Sequence, residues 1–373
     1  MSAVTAEANA AAGNRSTVVT IQYLRAIAAS IVVYHHAFAP PALSVYYPSA
    51  LGQFGVDIFF VISGYIMWTT TVGSGRGPAS FWAARIVRVV PLYWFYTTLF
   101  LIAAVAVTGQ TEDLGLDYVL KSYLFVPTIN SQTLFIVPVY SLGWTLNFEM
   151  FFYLLFGLSL LLTGPAVRYF CLAVLFGALI SAGHFLQPQQ PIAITYTSPM
   201  LFDFLAGVTL AALRPVLARC PVQYGVAAVL FSFVTLYFAL PIDPLRNIPV
   251  GYGVPAILLV GGAVVLERIV HRRPNSIGLL LGNASYSMYL AHPFAQRLWY
   301  LVLFHYIPIV SSASRALVFV GGGVLVGILA GVVSWFVLER PLLAVGHRLI
   351  RRHGTADLDL TSNRDDAQRV GSG

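Results

Sequence analysis

Long apolar runs separated by short polar breaks dominate this chain. Ten of them can be drawn as helical spans, at residues 18–38, 52–72, 86–107, 141–163, 169–186, 199–213, 222–241, 250–267, 277–304 and 316–338. A helix needs about 20 predominantly apolar residues to cross a bilayer. The pattern therefore predicts an all-α integral membrane protein of about ten transmembrane helices. The sixth run is short, and the ninth is interrupted by His292-Pro293. The alternating apolar-out, polar-in strands of a membrane barrel are absent from the sequence. There is no internal repeat and no matched pair of broken helices of the kind that marks transporters.

Composition agrees with this reading. The chain has 373 residues, 58% hydrophobic and only 9% charged, where an average soluble protein carries about 25% charged residues. The net charge is +7, with a single lysine, Lys121. Such an excess in a soluble protein suggests nucleic acid, but here the arginines follow topology. Arg76, Arg85, Arg168, Arg214, Arg219, Arg268, Arg272 and Arg273 fall in alternate gaps, with Arg340, Arg348, Arg351 and Arg352 in the tail. The opposite gaps hold only Lys121, Arg246 and Arg315. Basic residues collect on cytoplasmic loops, so both termini are expected in the cytoplasm.

Three regions follow. Residues 1–17 read as a disordered cytoplasmic N-terminus, Ala-rich and without the pattern of a cleavable signal peptide. Residues 18–340 form the membrane domain, and 341–373 a basic, then polar, cytoplasmic tail. The longest external loop, Thr108 to Tyr140, carries Glu112, Asp113 and Asp117; a second, Gln187 to Ser198, is rich in Pro and Gln. Loops of this length are often functional. Cys171 and Cys220 are isolated, which leaves no disulfide framework and no metal-ligand spacing.

Ionisable groups at membrane depth are costly and usually mark function. The first span carries Arg25 and the doublet His35-His36. Arg25 and His36 are eleven residues apart, so at about 100° per residue they share one helix face, separated by a rise of roughly 16 Å. His35 points about 100° away. A dehydrated histidine can serve as base or nucleophile; the plainer alternative is an interhelical packing bond. Asp57, near the outer start of the second span, is placed to orient His36 as in hydrolase triads, or to pair with another polar group. The neighbouring Ser63 and Gly64 read first as packing residues. Arg85 and Arg88 lie on one face at the opening of the third span, suited to phosphate or simply to cytoplasmic charge. Glu149, about two turns into the fourth span, needs a partner or a proton. Arg25, a proton path and a structural ion pair are all open to it, with Asn147 nearby. His292, before Pro293, lines a cavity or caps backbone freed by the proline. No Walker loop, dinucleotide fingerprint, zinc motif or Gly-x-Ser-x-Gly elbow is present.

Several segments together resemble the acyltransferase-3 family of integral membrane acyltransferases, and most closely its exopolysaccharide O-acetylating branch. They are Ile21 through His36, Gly55-Val-Asp57 through Ser63-Gly64, Arg85-Ile-Val-Arg88 with Pro91-Leu-Tyr-Trp, Gly143 through Glu149, Asn283 through His292-Pro293, and Glu339-Arg340-Pro341. They occur in the family's order across nearly the whole membrane region.

The resemblance implies about ten helices and transfer of acetyl groups from cytoplasmic acetyl-CoA to sugar hydroxyls on the other face. It implies that His36 is essential, that Arg25 belongs to the same first-helix pattern, and that Arg85 and Arg88 serve the acyl donor. Some members carry an extra hydrolase-type domain after the last helix. Without one here, transfer is expected to use membrane-embedded residues or a separate partner. The expected catalytic residues are then His36, Asp57 and Glu149. Arg25, Arg85 and Arg88 are expected to bind the donor, and His292 and Asn147 the acceptor, with no metal. The expected setting is a bacterial inner membrane. Partners are the lipid bilayer and a sugar or polysaccharide acceptor; a second copy of the chain and other exopolysaccharide-assembly proteins stay open. A multi-span transporter or flippase of a sugar or lipid-linked sugar is the rival class, and an acyl group other than acetyl a third option.

Overall fold

The computed structural model describes residues 18–38, 49–108, 115–239, 252–306 and 317–350. The stretches read as a disordered N-terminus and as the polar end of the tail lie outside these residues, as do Arg246 and Arg315. Among the described residues the chain is helical, and the sole β-pairing is an isolated bridge between Ile129 and Ile136.

The helices are α1 (Val19–His36), α2 (Ser49–Thr71), α3 (Pro78–Thr108), α4 (Leu116–Tyr123), α5 (Trp144–Ser159), α6 (Pro165–Leu186), α7 (Pro191–Tyr196), α8 (Leu201–Ala212), α9 (Val222–Ala239), α10 (Gly253–Val270), α11 (Ser276–Asn283), α12 (Ser285–Tyr306) and α13 (Gly322–Ser334). Seven helical stretches are long and apolar enough to cross a membrane: Leu51–Thr71, Pro78–Ala106, Pro165–Leu186, Pro191–Ala212, Val222–Ala239, Gly253–Val270 and Val318–Ile350. The other three drawn spans correspond to α1, α5 and α12. They carry Arg25 and His36, Asn147 and Glu149, and His292 and Gln296. Polar side chains make α1 and α12 less apolar than their neighbours, whereas α5 is apolar but only 16 residues long.

Several boundaries move. The third helix begins at Pro78, not near residue 86. Arg85 and Arg88 therefore sit about two and three turns inside it, away from the exposed amides of its N-terminus. The ninth span breaks at Ala284, between α11 and α12, while Pro293 lies inside continuous α12. The last helix runs on to Ile350, so the first residues read as tail continue the helix. That helix includes two π-helical turns, Leu317–Gly321 and Trp335–Glu339. An inserted π turn shifts the face that later residues present.

Lipid offers no hydrophobic drive for helices to pair, so close packing and interhelical hydrogen bonds do the work. Glycines mark the tightest contacts. A Cβ on Gly64 would lie 2.0 Å from the Phe204 carbonyl oxygen, and one on Gly207 only 1.9 Å from that of Val61. These two positions let α2 and α8 run side by side, reinforced by the stacked rings of Phe60, Phe204 and Phe152. Gly52 packs on the His35 ring and Gly55 on Val32 and Ala28, so α2 runs antiparallel to α1. Gly331 seats Met288, which brings α13 against α12.

The first helix is tied at both ends. Its N-terminus is capped from α10: the Glu267 carboxylate accepts from Val19 N at 2.9 Å, Thr20 N at 2.8 Å and Thr20 Oγ1 at 2.6 Å. An acceptor there satisfies orphan amides and complements the helix dipole. Near the other end, Gln296 Nε2 donates to the Val33 carbonyl at 2.8 Å and the Tyr300 hydroxyl to that of Ala37 at 2.7 Å.

Candidate functional site

A cavity of about 170 Å³ lies between α1, α2, α3, α5 and α12. Arg25, Ser63, Arg85, Arg88, Glu149 and Tyr153 bring polar groups to its wall; Phe59, Phe60, Ile66 and Met67 supply apolar surface. Three arginines and one glutamate thus converge from three helices.

The charges are held unequally. Arg88 forms an ion pair with Glu339, which is 1% exposed. Glu339 also accepts from Ser287 N at 3.1 Å and Ser287 Oγ at 2.5 Å. The Arg88 guanidinium lies 5.7 Å from the centre of the Tyr286 ring, a cation–π distance. This arginine is braced by a carboxylate and an aromatic ring. Arg85 is different: its Nε is buried without a hydrogen-bond partner, and its nearest aromatic face is Phe81, at 5.9 Å. Arg25 Nη1 reaches Gln22 Oε1 at 3.3 Å, within its own helix. Glu149 accepts from the Tyr153 hydroxyl one turn on, and from Ser63 Oγ at 3.4 Å. Ser63, expected to be a packing residue, is therefore part of the polar wall, while Gly64 beside it does the packing.

His36 lies elsewhere. Its Nδ1 is 2.9 Å from the Val32 carbonyl, one turn back. A carbonyl only accepts, so Nδ1 carries the proton and Nε2 keeps its lone pair. His292 repeats the arrangement: its Nδ1 is 2.9 Å from the Met288 carbonyl, and its buried Nε2 has no partner. The two rings are 4.9 Å apart, centre to centre. Two neighbouring imidazoles thus lie at the opposite end of α1 from the arginine cavity, with Nδ1 of each bonded to its own helix. The carbonyl that Pro293 cannot serve is that of Tyr289, and His292 hydrogen-bonds to the backbone of Tyr289 as well as of Met288, so capping of the freed group stays open to it.

Among the described residues neither expected carboxylate bonds His36. Asp57 accepts from Gln53 Nε2 at 2.7 Å, within its own helix. The α1–α2 register explains this: Gly52 meets His35 and Gly55 meets Val32 and Ala28. Asp57 is thus about two turns deeper than His36. Asn147 is buried with its Oδ1 unpartnered, but it does not line the cavity. The structure therefore gathers Arg25, Arg85, Arg88 and Glu149 at one place and pairs His36 with His292 at another. It brings Asp57 and Asn147 to neither.

Sequence reasoning missed Tyr153, Glu339, Ser287 and Glu267. Tyr153 was within reach, because it follows Glu149 by four residues on one helix face. Glu339 follows a long apolar run, a signal that ionisable residues give in membranes. Nothing local marks Glu267 as the cap of a helix almost 250 residues away.

Comparison with known proteins places the chain. Residues 18–336 match the model of the acyltransferase domain of the acyltransferase-3 family. The chain is also 37% identical over 307 residues to the exopolysaccharide production protein ExoZ of Rhizobium meliloti (strain 1021), covering 79% of this chain and 91% of that protein. No solved structure gives a significant match.

Proposed function

Because the chain belongs to the acyltransferase-3 family, we propose that it is a membrane O-acetyltransferase carrying acetyl groups from acetyl-CoA to hydroxyls of an exopolysaccharide. The acceptor class follows from the relative, an exopolysaccharide production protein. The topology in this reading has ten spans, both termini on the CoA side and the acceptor on the other face of a bacterial inner membrane. Family membership puts this reading ahead of a transporter or flippase.

The observation that carries it is the contrast along α1. Arg25 at one end enters a cavity where Arg85 has an unsatisfied buried nitrogen, and His36 at the other end offers a lone pair beside that of His292. Ligand pockets usually measure about 300–1,000 Å³. At about 170 Å³ the cavity takes one part of a CoA thioester and not the whole. Arg25 and Arg85 bind anionic or carbonyl oxygen there, and Arg88, held by Glu339, fixes the third positive charge. Glu149, through Tyr153 and Ser63, keeps the wall in place and limits its net charge. When bound, the donor supplies an acyl carbon activated by sulfur.

The long arm of the donor must run along α1 toward His36, roughly 16 Å from Arg25. There His36 Nε2 takes the proton of a sugar hydroxyl while its oxygen bonds the acyl carbon; the carbon–sulfur bond breaks, and the thiolate leaves to be protonated. The alternative is that Nε2 attacks first and passes the acyl group on. His292 Nε2 accepts from a neighbouring hydroxyl of the acceptor sugar in either route and so aims the reacting one. The Val32 carbonyl, rather than Asp57, orients His36. Asp57 contributes only through its field, and Asn147 offers an acceptor atom deeper in the bundle.

The test is acetyl-CoA turnover by the purified protein in nanodiscs with a sugar acceptor. Release of CoA by wild type and not by His36→Ala supports the reading. A preparation that neither binds nor consumes acetyl-CoA, yet binds a sugar or lipid-linked sugar, overturns it.

A further inference from the structure

A second cavity, of about 240 Å³, opens where α1 begins and α10 ends. Tyr65, Arg214, Glu267, Arg268 and His271 line it, and it shares no residue with the arginine cavity. Tyr65 is 1% exposed and its hydroxyl has no hydrogen-bond partner. Among the described residues, neither Arg214 nor Arg268 has a carboxylate within salt-bridge distance. The one acid in the wall, Glu267, is engaged by the three donors of the α1 N-terminus and by His271 Nδ1 at 3.6 Å. What remains to face the space is two guanidinium groups, a phenol and an imidazole. Every one of them can donate a hydrogen bond to an anion.

We propose that this cavity binds the phosphate of a phosphate ester, at a site separate from acyl transfer. Basic residues at helix ends are expected from topology alone. Topology, however, does not require a walled space or a buried hydroxyl left without an acceptor, and a phosphate supplies both occupant and acceptor. Arginine suits it because its fork matches phosphate oxygens two at a time. The volume holds the phosphate and a short stem, with the rest of the ligand outside. A lipid headgroup and a soluble phosphomonoester share this chemistry. The ligand would sit against Glu267, the residue that fixes the start of the helix bearing Arg25 and His36. The proposal does not depend on the acetyltransferase reading.

Two probes separate the sources. One is retention of phosphatidic acid by the full chain in native mass spectrometry after release from nanodiscs. The other is calorimetric titration of the detergent-solubilised protein with adenosine 3′,5′-bisphosphate. Each is run on wild type, Arg85→Gln, Arg214→Gln/Arg268→Gln and Tyr65→Phe. We expect saturable binding of at least one probe that survives Arg85→Gln, weakens about tenfold or more in the double variant and falls several-fold in Tyr65→Phe. Phosphatidic acid alone identifies a lipid headgroup; the bisphosphate identifies a soluble ester. Tyr65→Phe, which removes one oxygen and keeps the ring, reports even if the double variant does not fold. Binding of neither probe, or binding lost with Arg85→Gln and kept in the double variant and Tyr65→Phe, overturns the proposal.

Discussion

At one end of α1, Arg25 faces a cavity whose charges are fixed: Arg88 is paired with Glu339, and Glu149 is bonded by Tyr153 and Ser63. At the other end, His36 and His292 each give their Nδ1 proton to their own backbone, and the buried Nε2 of His292 has no partner. The first region is built to keep charge where it is. In the proposed function the second lets a proton move, because a neutral imidazole with a lone pair can accept one. The contrast also separates two neighbours in sequence. Arg88 is paired with Glu339 inside the bundle, whereas Arg85, one turn earlier, has a buried Nε without a hydrogen-bond partner. A motif that reads as two equivalent arginines divides into one that is ion-paired and one that is not; in the proposed function the second is the binding group.

The sharpest break comes from the histidine end. His36→Ala should lower acyl transfer by about 10²–10⁴-fold, the usual worth of a positioned acid–base group, with acetyl-CoA binding unchanged. Full turnover in that variant would move the chemistry away from α1.

Next in size is the Arg88 brace. Arg88→Met leaves Glu339 buried and unpaired, which should cost about 3–5 kcal/mol. Thermal melts in detergent should show it, and Arg88→Met/Glu339→Gln should recover most of the loss. Arg85→Met should be milder for stability and instead raise the KM for acetyl-CoA, by about tenfold for a lost charge-assisted contact. Equal melting losses in the two single variants would erase the distinction drawn above.

A smaller effect is expected at His292. His292→Gln should raise the acceptor KM several-fold while the donor KM stays put. A change in the donor KM instead would join the two regions into one.

The smallest concerns Glu267. Glu267→Gln weakens the cap on α1 by about 1 kcal/mol, seen as a lower melting temperature without a change in either KM.

Much of this molecule was legible before its structure. Apolar runs of spanning length gave most of the helices, since backbone groups in lipid must be satisfied within the segment. The family pattern pointed to Arg25, His36, Arg85, Arg88 and Glu149. Boundaries were less legible. Pro78 starts α3 well before the apolar run, because a helix can project beyond the bilayer, and composition does not mark where hydrogen bonding begins. Pro293 lies within α12 instead of breaking it, because neighbouring helices support a transmembrane helix through a proline.

By itself the sequence determined the class of molecule, its family, and the face that Arg25 shares with His36. Those follow from composition, motif order and the helical repeat, which are local or additive properties. Only the tertiary structure decided which charges are neutralised and which are left to act. Arg88 is paired across 251 residues with Glu339, α1 is capped by Glu267, and Asp57 is held about two turns away from His36 by the packing of Gly52 and Gly55. Such contacts depend on how helices are set against one another, and in lipid that is decided by close packing and by where buried polar groups find partners.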